Sequence, residues 1–111
     1  VSFKKAVNEL KHFDGIVESV GESNLMDWKA RIDRLGISIC PNSSVAIAGA
    51  MKLRHDNIIK EKDEVVVILT AHGSKFSKTA IEYHDNTDNQ YANLTSTIEA
   101  DIDQLERILN L

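Results

Sequence analysis

Apolar residues recur at the three- and four-residue spacing of an amphipathic helix in four stretches of this chain. The helices that these stretches predict begin near residues 3, 22, 75 and 97. Ser2 is placed to cap the first helix, and Gly36 to end the second. The last is expected to run to Leu111, with one apolar face formed by Ile98, Ile102, Leu105, Ile108 and Leu109.

A fifth predicted helix, over residues 43–56, has a different pattern. Its first ten residues are almost entirely small or apolar. A helix that is apolar all round is typically buried all round, so we expect this one in the interior. Ser43 and Ser44 are placed to cap its first turn.

Three stretches predict strands. Residues 65–70, VVVILT, form a continuous β-branched run of the kind found in strands covered on both faces. Residues 16–20 alternate like a short strand, and residues 37–40 form an extended piece before Pro41. Helices alternating with strands predict an α/β fold, here a partial three-layer parallel sheet flanked by helices.

The chain divides into three parts by pattern. Residues 1–85 form the predicted α/β segment, residues 86–96 a polar linker without periodicity, and residues 97–111 a C-terminal amphipathic helix. Only one of the three strands has a strong signal, and sheets usually contain more strands. We therefore expect the sheet to be incomplete.

Charge and composition exclude some classes of function. The net charge is −4 and no basic stripe is visible, which argues against a nucleic-acid partner. No apolar run approaches the roughly 20 residues of a membrane helix, so no membrane partner is expected. The histidines lack a compact metal-ligand spacing, and we predict no metal site.

Candidate chemistry is concentrated where the predicted central strand ends. Thr70 would lie at the carboxyl end of that strand, where ligands of open α/β sheets bind. An ordinary turn threonine explains the same residue. Gly73-Ser74-Lys75 precedes a helix, but Ile68 stands where a nucleotide-binding loop needs a glycine.

Two longer stretches resemble the carboxyl-terminal part of plant-type threonine synthases, which depend on pyridoxal phosphate. One contains Cys40-Pro41-Asn42-Ser43-Ser44 at the start of a small-residue helix, and the other is VVVILTAHGSKFSKTAIEYH, residues 65–84. The resemblance implies part of the large domain of a fold-type II enzyme. It also implies a reaction for the full enzyme, from O-phosphohomoserine and water to threonine and phosphate.

The resemblance assigns Thr70 as the hydroxyl that faces the pyridine nitrogen of the cofactor. Asn42, Ser43 and Gly73 are further candidate contacts. Asn42 and Ser74 depart from the family pattern, which has His and usually Leu there. The family's Schiff-base lysine and phosphate loop have no matching residues in this chain, so we expect it to bind no cofactor alone.

Two functions follow as expectations. The first is a threonine synthase-like C-terminal portion that is catalytically inactive by itself. The second is a truncated paralogue that acts as an interaction or regulatory module, with a full-length threonine synthase, another protein or a second copy as its partner. No targeting segment is recognisable, and the expected location is a plastid or the cytoplasm.

Overall fold

The structure is a computed structural model that describes residues 2–110. Val1, the first residue of the predicted α/β segment, and Leu111, the last residue of the predicted C-terminal helix, lie outside that range. Within residues 2–110, five α-helices and one 3₁₀ helix follow one another. They are α1 (Phe3–His12), α2 (Glu22–Asp33), α3 (Pro41–His55), the 3₁₀ helix (Gly73–Phe76), α4 (Ser77–Asp85) and α5 (Ile102–Leu109).

The predicted parallel sheet is wrong. Between residues 2 and 110 the β-type pairing amounts to one isolated antiparallel bridge, Ile39 with His72. None of the three predicted strands forms, and residues 65–70 have no regular structure. An isolated strand is not stable in water, because its backbone groups need a neighbouring strand as partner. The β-branched run therefore reflects local preference without the neighbours that would make it a strand.

The helices agree better with the sequence pattern. Gly36 ends the turn after α2 with φ of 82°, a conformation that glycine adopts readily. The last helix is shorter than predicted and begins at Ile102, where the Asp101 side chain accepts from the Asp103 amide. The Ser2 side chain makes no capping hydrogen bond to α1.

The burial predicted for the apolar helix is also wrong. Within α3 the buried residues are Ser43, Ser44 and Ala48, while Val45 and Met51 are exposed. Among the described helices, α3 packs mainly against α2. An apolar sequence makes burial favourable, but the described chain does not supply enough neighbours to bury every face.

Two small buried regions hold the described part of the chain together. Met26 and Ala30 of α2 pack with Tyr83 of α4, and Leu25 and Tyr91 pack against this cluster. The second region surrounds the start of α3, where Ile39 and Cys40 are almost fully buried. This second region contains the residues singled out from the sequence.

No helix in the described part of the chain is long and apolar enough to cross a membrane.

Candidate functional site

The candidate site lies where the start of α3 meets residues 70–73. Cys40 precedes a proline and is extended, with φ −74° and ψ 157°, and Pro41 then begins the helix. The Cys40 side chain caps α3 by accepting from the Ser43 amide, at 3.3 Å between Sγ and N. Ser43 and Ser44 therefore lie within α3, three and four residues after the cap, and not at the capping position predicted for them.

Ser43 is the centre of the site. Its side chain is 2% exposed, and its Oγ accepts from the amides of Thr70, at 3.0 Å, and Ala71, at 3.4 Å. The same Oγ lies 3.2 Å from Cys40 Sγ and 3.4 Å from Thr70 Oγ1. One hydroxyl thus joins the start of α3 to the segment that carries Thr70.

The backbone adds two hydrogen bonds to this junction. The Cys40 amide donates to the Ala71 carbonyl at 3.0 Å, and the Gly73 amide donates to the Ser38 carbonyl at 3.3 Å. The Ile39–His72 bridge lies between them. Residues 38–40 and 71–73 therefore run side by side for the length of one short antiparallel contact.

Gly73 is required by this close approach. A Cβ at position 73 would lie 2.6 Å from Ser38 Oγ and 2.8 Å from the Ile39 carbonyl oxygen. The next turn is the 3₁₀ helix, whose first residues are capped by His72: its Nδ1 accepts from the Ser74 amide at 3.1 Å. His72 therefore has a structural role in the turn.

The environment also changes the chemistry of the thiol. Because the Ser43 side chain hydrogen-bonds to Cys40, the pKa of the Cys40 thiol is lower than its ordinary value. A hydroxyl has one proton, so Ser43 can donate to Cys40 or to Thr70 but not to both. The amides of Thr70 and Ala71 already occupy both lone pairs of Ser43 Oγ, so the Thr70 proton remains available for another acceptor.

The predicted site residues are brought together in part. Thr70 and Ser43 are in contact, and Gly73 lies three residues farther along, buried against Ser38 and Ile39. Asn42 is exposed in the first turn of α3, and no side-chain hydrogen bond joins it to the others in the described structure. Thr70 is exposed as well, so a ligand can reach its hydroxyl.

Sequence reasoning missed two contributors to this site. Cys40 caps α3, and cysteine is not a typical capping residue. Its position directly before a proline could nevertheless have predicted the start of the helix. Asp33 at the end of α2 accepts from the Ile39 amide at 3.2 Å, a contact over six residues that no local pattern indicates. Among residues 2–110 no cluster of three side chains could hold a metal ion.

Curated proteins are similar to this chain, and three of them are described below, while no family model matches it. Threonine synthase 2, chloroplastic, of Arabidopsis thaliana is 44% identical over 92 residues, which is 83% of this chain and 18% of that protein. Threonine synthase of Methanocaldococcus jannaschii is 30% identical over 110 residues, 98% of this chain and 25% of that protein. Threonine synthase of Methanosarcina acetivorans is 30% identical over 101 residues, which is 90% of this chain and 25% of that protein.

The chain thus spans between 18% and 25% of the length of these relatives. All three are named as threonine synthases, and they come from a plant and, at lower identity, from two other organisms. The family resemblance carried by the two motifs is confirmed: this chain is a homologue of threonine synthases over a segment of those proteins.

Proposed function

We propose that this chain contributes the Thr70 hydroxyl as one contact of a pyridoxal phosphate site in a threonine synthase-like protein. The observation that carries the proposal is the hydrogen bonding of Ser43, whose Oγ accepts from the Thr70 and Ala71 amides; this anchors the Thr70 backbone and leaves the Thr70 hydroxyl proton available. The Thr70 side chain is exposed beside the start of α3. A hydroxyl held in this way fits one contact of the cofactor, the contact with its pyridine nitrogen.

When bound, the cofactor would supply an electron sink for chemistry at the substrate's carbon atoms. The part assigned to this chain is to position one neutral partner beside the ring. A neutral hydroxyl exerts less pull on a ring proton than a carboxylate would, so it tunes the cofactor without fixing its charge. Ser43, Cys40 and Gly73 hold that partner in place.

By itself the chain is expected to be inactive, since it offers one contact and no recognisable lysine or phosphate loop for the cofactor. The relative with chloroplastic in its name makes a plastid the proposed location of the complete protein. O-phosphohomoserine is the proposed substrate of that complete protein, by family resemblance.

The test replaces the matching segment of the Arabidopsis relative with this chain and compares the chimera with its Thr70→Val variant. Valine keeps the shape of threonine and removes the hydroxyl. We expect the chimera to bind pyridoxal phosphate, and Thr70→Val to change the cofactor's absorption spectrum and lower kcat by tenfold or more, about 1.4 kcal/mol in the barrier.

Thr79→Val is the matched control, because Thr79 lies within α4 outside the site. An unchanged spectrum and kcat in Thr70→Val would contradict the assignment. The isolated chain, mixed with pyridoxal phosphate and reduced with borohydride, should show no single modified lysine. A lysine adduct at one defined position would contradict the proposed inactivity.

A second candidate function is an interaction module, and the exposed apolar segment 65–69 favours it. Val66 is 90% and Ile68 74% exposed, although both belong to the most apolar run in the chain. Exposed apolar segments of this kind are found where a partner binds. The partner is proposed to be a second copy or a full-length threonine synthase.

A further inference from the structure

A partly buried ion pair lies in α2, just before the segment that leads into the candidate site. Lys29 of α2 is 3% exposed, and its Nζ lies 2.5 Å from Asp33 Oδ2, one helical turn later. An ammonium group is rarely buried without a partner, because it loses its hydration. Lys29 is therefore held by Asp33, and the position of Asp33 is in turn held by Lys29.

The second carboxylate oxygen of Asp33 reaches beyond the helix. Asp33 Oδ1 accepts from the Ile39 amide at 3.2 Å, across the turn that Gly36 makes after α2. The carboxylate has thus one oxygen on the lysine and one on the backbone of the segment that leads into α3. Rotation of this side chain would break both contacts together.

Ile39 is also the residue through which α2 is connected to the site. Its backbone pairs with His72, and the amide of the next residue, Cys40, donates to the Ala71 carbonyl. The Cys40 thiol contacts Ser43, which accepts from the Thr70 amide. A path of direct contacts therefore runs from Lys29 to Thr70 without a gap.

We propose that the Lys29–Asp33 pair is a positioning device for the Thr70 site, acting through the Ile39 amide. The purpose of this positioning rests on the proposed function, but the positioning itself can be tested without any cofactor. Asp33 sets where Ile39 and Cys40 lie, and these residues set where Ser43 meets Thr70.

The chain contains a matched pair that lacks this connection. Lys78 and Glu82 have the same four-residue spacing on α4, but their charged atoms are 3.8 Å apart and both side chains are exposed. Exposed pairs of this kind contribute little to stability. Glu82→Ala and Lys78→Met are therefore controls for the loss of a helical ion pair as such.

Cys40 provides the measurement, because it is the chain's single cysteine and is 2% exposed. A thiol reagent can modify it only when the turn opens. We expect Asp33→Ala to raise the rate of Cys40 modification about tenfold or more, since a hydrogen bond to a charged group is lost. Lys29→Met should also raise the rate of Cys40 modification. Lys29→Arg keeps the charge and should give a rate closer to that of the unmodified chain.

Asp33→Asn separates the acceptor from the charge. Its amide oxygen can still accept from Ile39, so the modification rate should lie between those of the unmodified chain and Asp33→Ala. The rates of amide hydrogen exchange at Thr70 and Ala71, whose amides donate to Ser43, should rank the variants in the same order. The α4 controls should leave both measurements within about twofold of the unmodified chain.

Low urea concentrations distinguish positioning from general stability. Local opening of the turn exposes little surface, so its modification rate should hardly depend on urea, whereas global unfolding depends on it steeply. Two results would overturn the proposal: equal Cys40 rates in Asp33→Ala and the unmodified chain, or a rise in rate that follows urea as steeply as global unfolding does. Neither result bears on whether Thr70 contacts pyridoxal phosphate.

Discussion

Tyr83 shows how one buried polar group can make stability depend on pH. Its ring packs on Met26 and Ala30, and its hydroxyl donates to Asp27 Oδ1 at 2.5 Å. Burial, followed by the hydrogen bond and the negative charge of Asp27, raises the pKa of Tyr83 from 10.0 to about 12. The folded state therefore keeps a proton that the unfolded state releases.

We predict that the chain loses stability as pH rises from 10 through about 12. The Tyr83 contribution is fully present below the unfolded pKa of 10.0, and at most roughly 3 kcal/mol of it disappears by the folded value. Urea unfolding at a series of alkaline pH values measures this slope, and the absorbance of tyrosinate measures the titration itself.

Tyr83→Phe should flatten this pH dependence, although it also removes the bond to Asp27 and lowers stability at neutral pH. Tyr91→Phe is the comparison, and it should keep the titration step near pH 12. A wild-type profile in Tyr83→Phe would assign the alkaline transition to another group.

Two glycines in helical elements have opposite effects on stability. Gly73 begins the 3₁₀ helix against Ser38 and Ile39, whereas Gly49 lies inside α3 with nothing within 4 Å of the place its Cβ would take. The first glycine is needed for close approach. The second weakens the helix by its flexibility alone.

We predict that Gly73→Ala destabilises the chain by about 1–3 kcal/mol, because a methyl group would collide with the Ile39 backbone. Gly49→Ala should stabilise it by roughly 0.5–1 kcal/mol through higher helix propensity. The free energy of unfolding, measured in urea, should therefore decrease in Gly73→Ala and increase in Gly49→Ala. Equal signs would mean that the two glycine environments have been misassigned.

How far the sequence predicted these elements depended on where their stabilising contacts lie. The helical stripe of α2 and the stop at Gly36 are local features, and both appear where the pattern placed them. The strand at residues 65–70 needed hydrogen bonds from distant backbone, and in the described chain it has none. Local pattern therefore identified the helices and overestimated the sheet.

The candidate site divides in the same way. Thr70, Ser43 and Gly73 were found from residue types at element ends, and the structure places Ser43 against Thr70. That Cys40 would be the cap, and that Asp33 would bind the Ile39 amide, depends on how the turn after α2 folds back. Contacts made across such a turn leave no periodic signal.

The molecule as a whole is less compact than a typical domain of its mass. Its radius of gyration is 17.8 Å, against about 13 Å for a compact domain of this length. Its accessible surface is 8899 Å², against roughly 6,100 Å² for a compact monomer of 12.4 kDa. Much of the excess carries apolar side chains, including Phe3, Val17 and Val66.

We predict that Val66→Lys reduces self-association and leaves the stability of the chain nearly unchanged. Val66 is 90% exposed, so a lysine there replaces no internal contact and shifts the unfolding free energy by about 0.5 kcal/mol or less. A charge on the apolar segment opposes pairing with a second copy. Light scattering after size-exclusion chromatography measures the mass at several concentrations.

Lys62→Glu, in the exposed polar turn before this segment, is the control for a change of charge alone. If the unmodified chain and Val66→Lys both remain monomeric at high concentration, a second copy is not the partner of segment 65–69. A full-length threonine synthase would then be the partner to test.

The Ser43 contact has a consequence for how the site comes into being. It joins two positions 27 residues apart in the chain, with most of α3 and the polar turn at residues 60–64 between them. Contacts over such separations form only after the intervening loop has closed, so the site should assemble late in folding. A protease cut in the exposed turn would leave Ser43 and Thr70 on separate pieces. Recovery of the junction would then depend on the two pieces finding each other again.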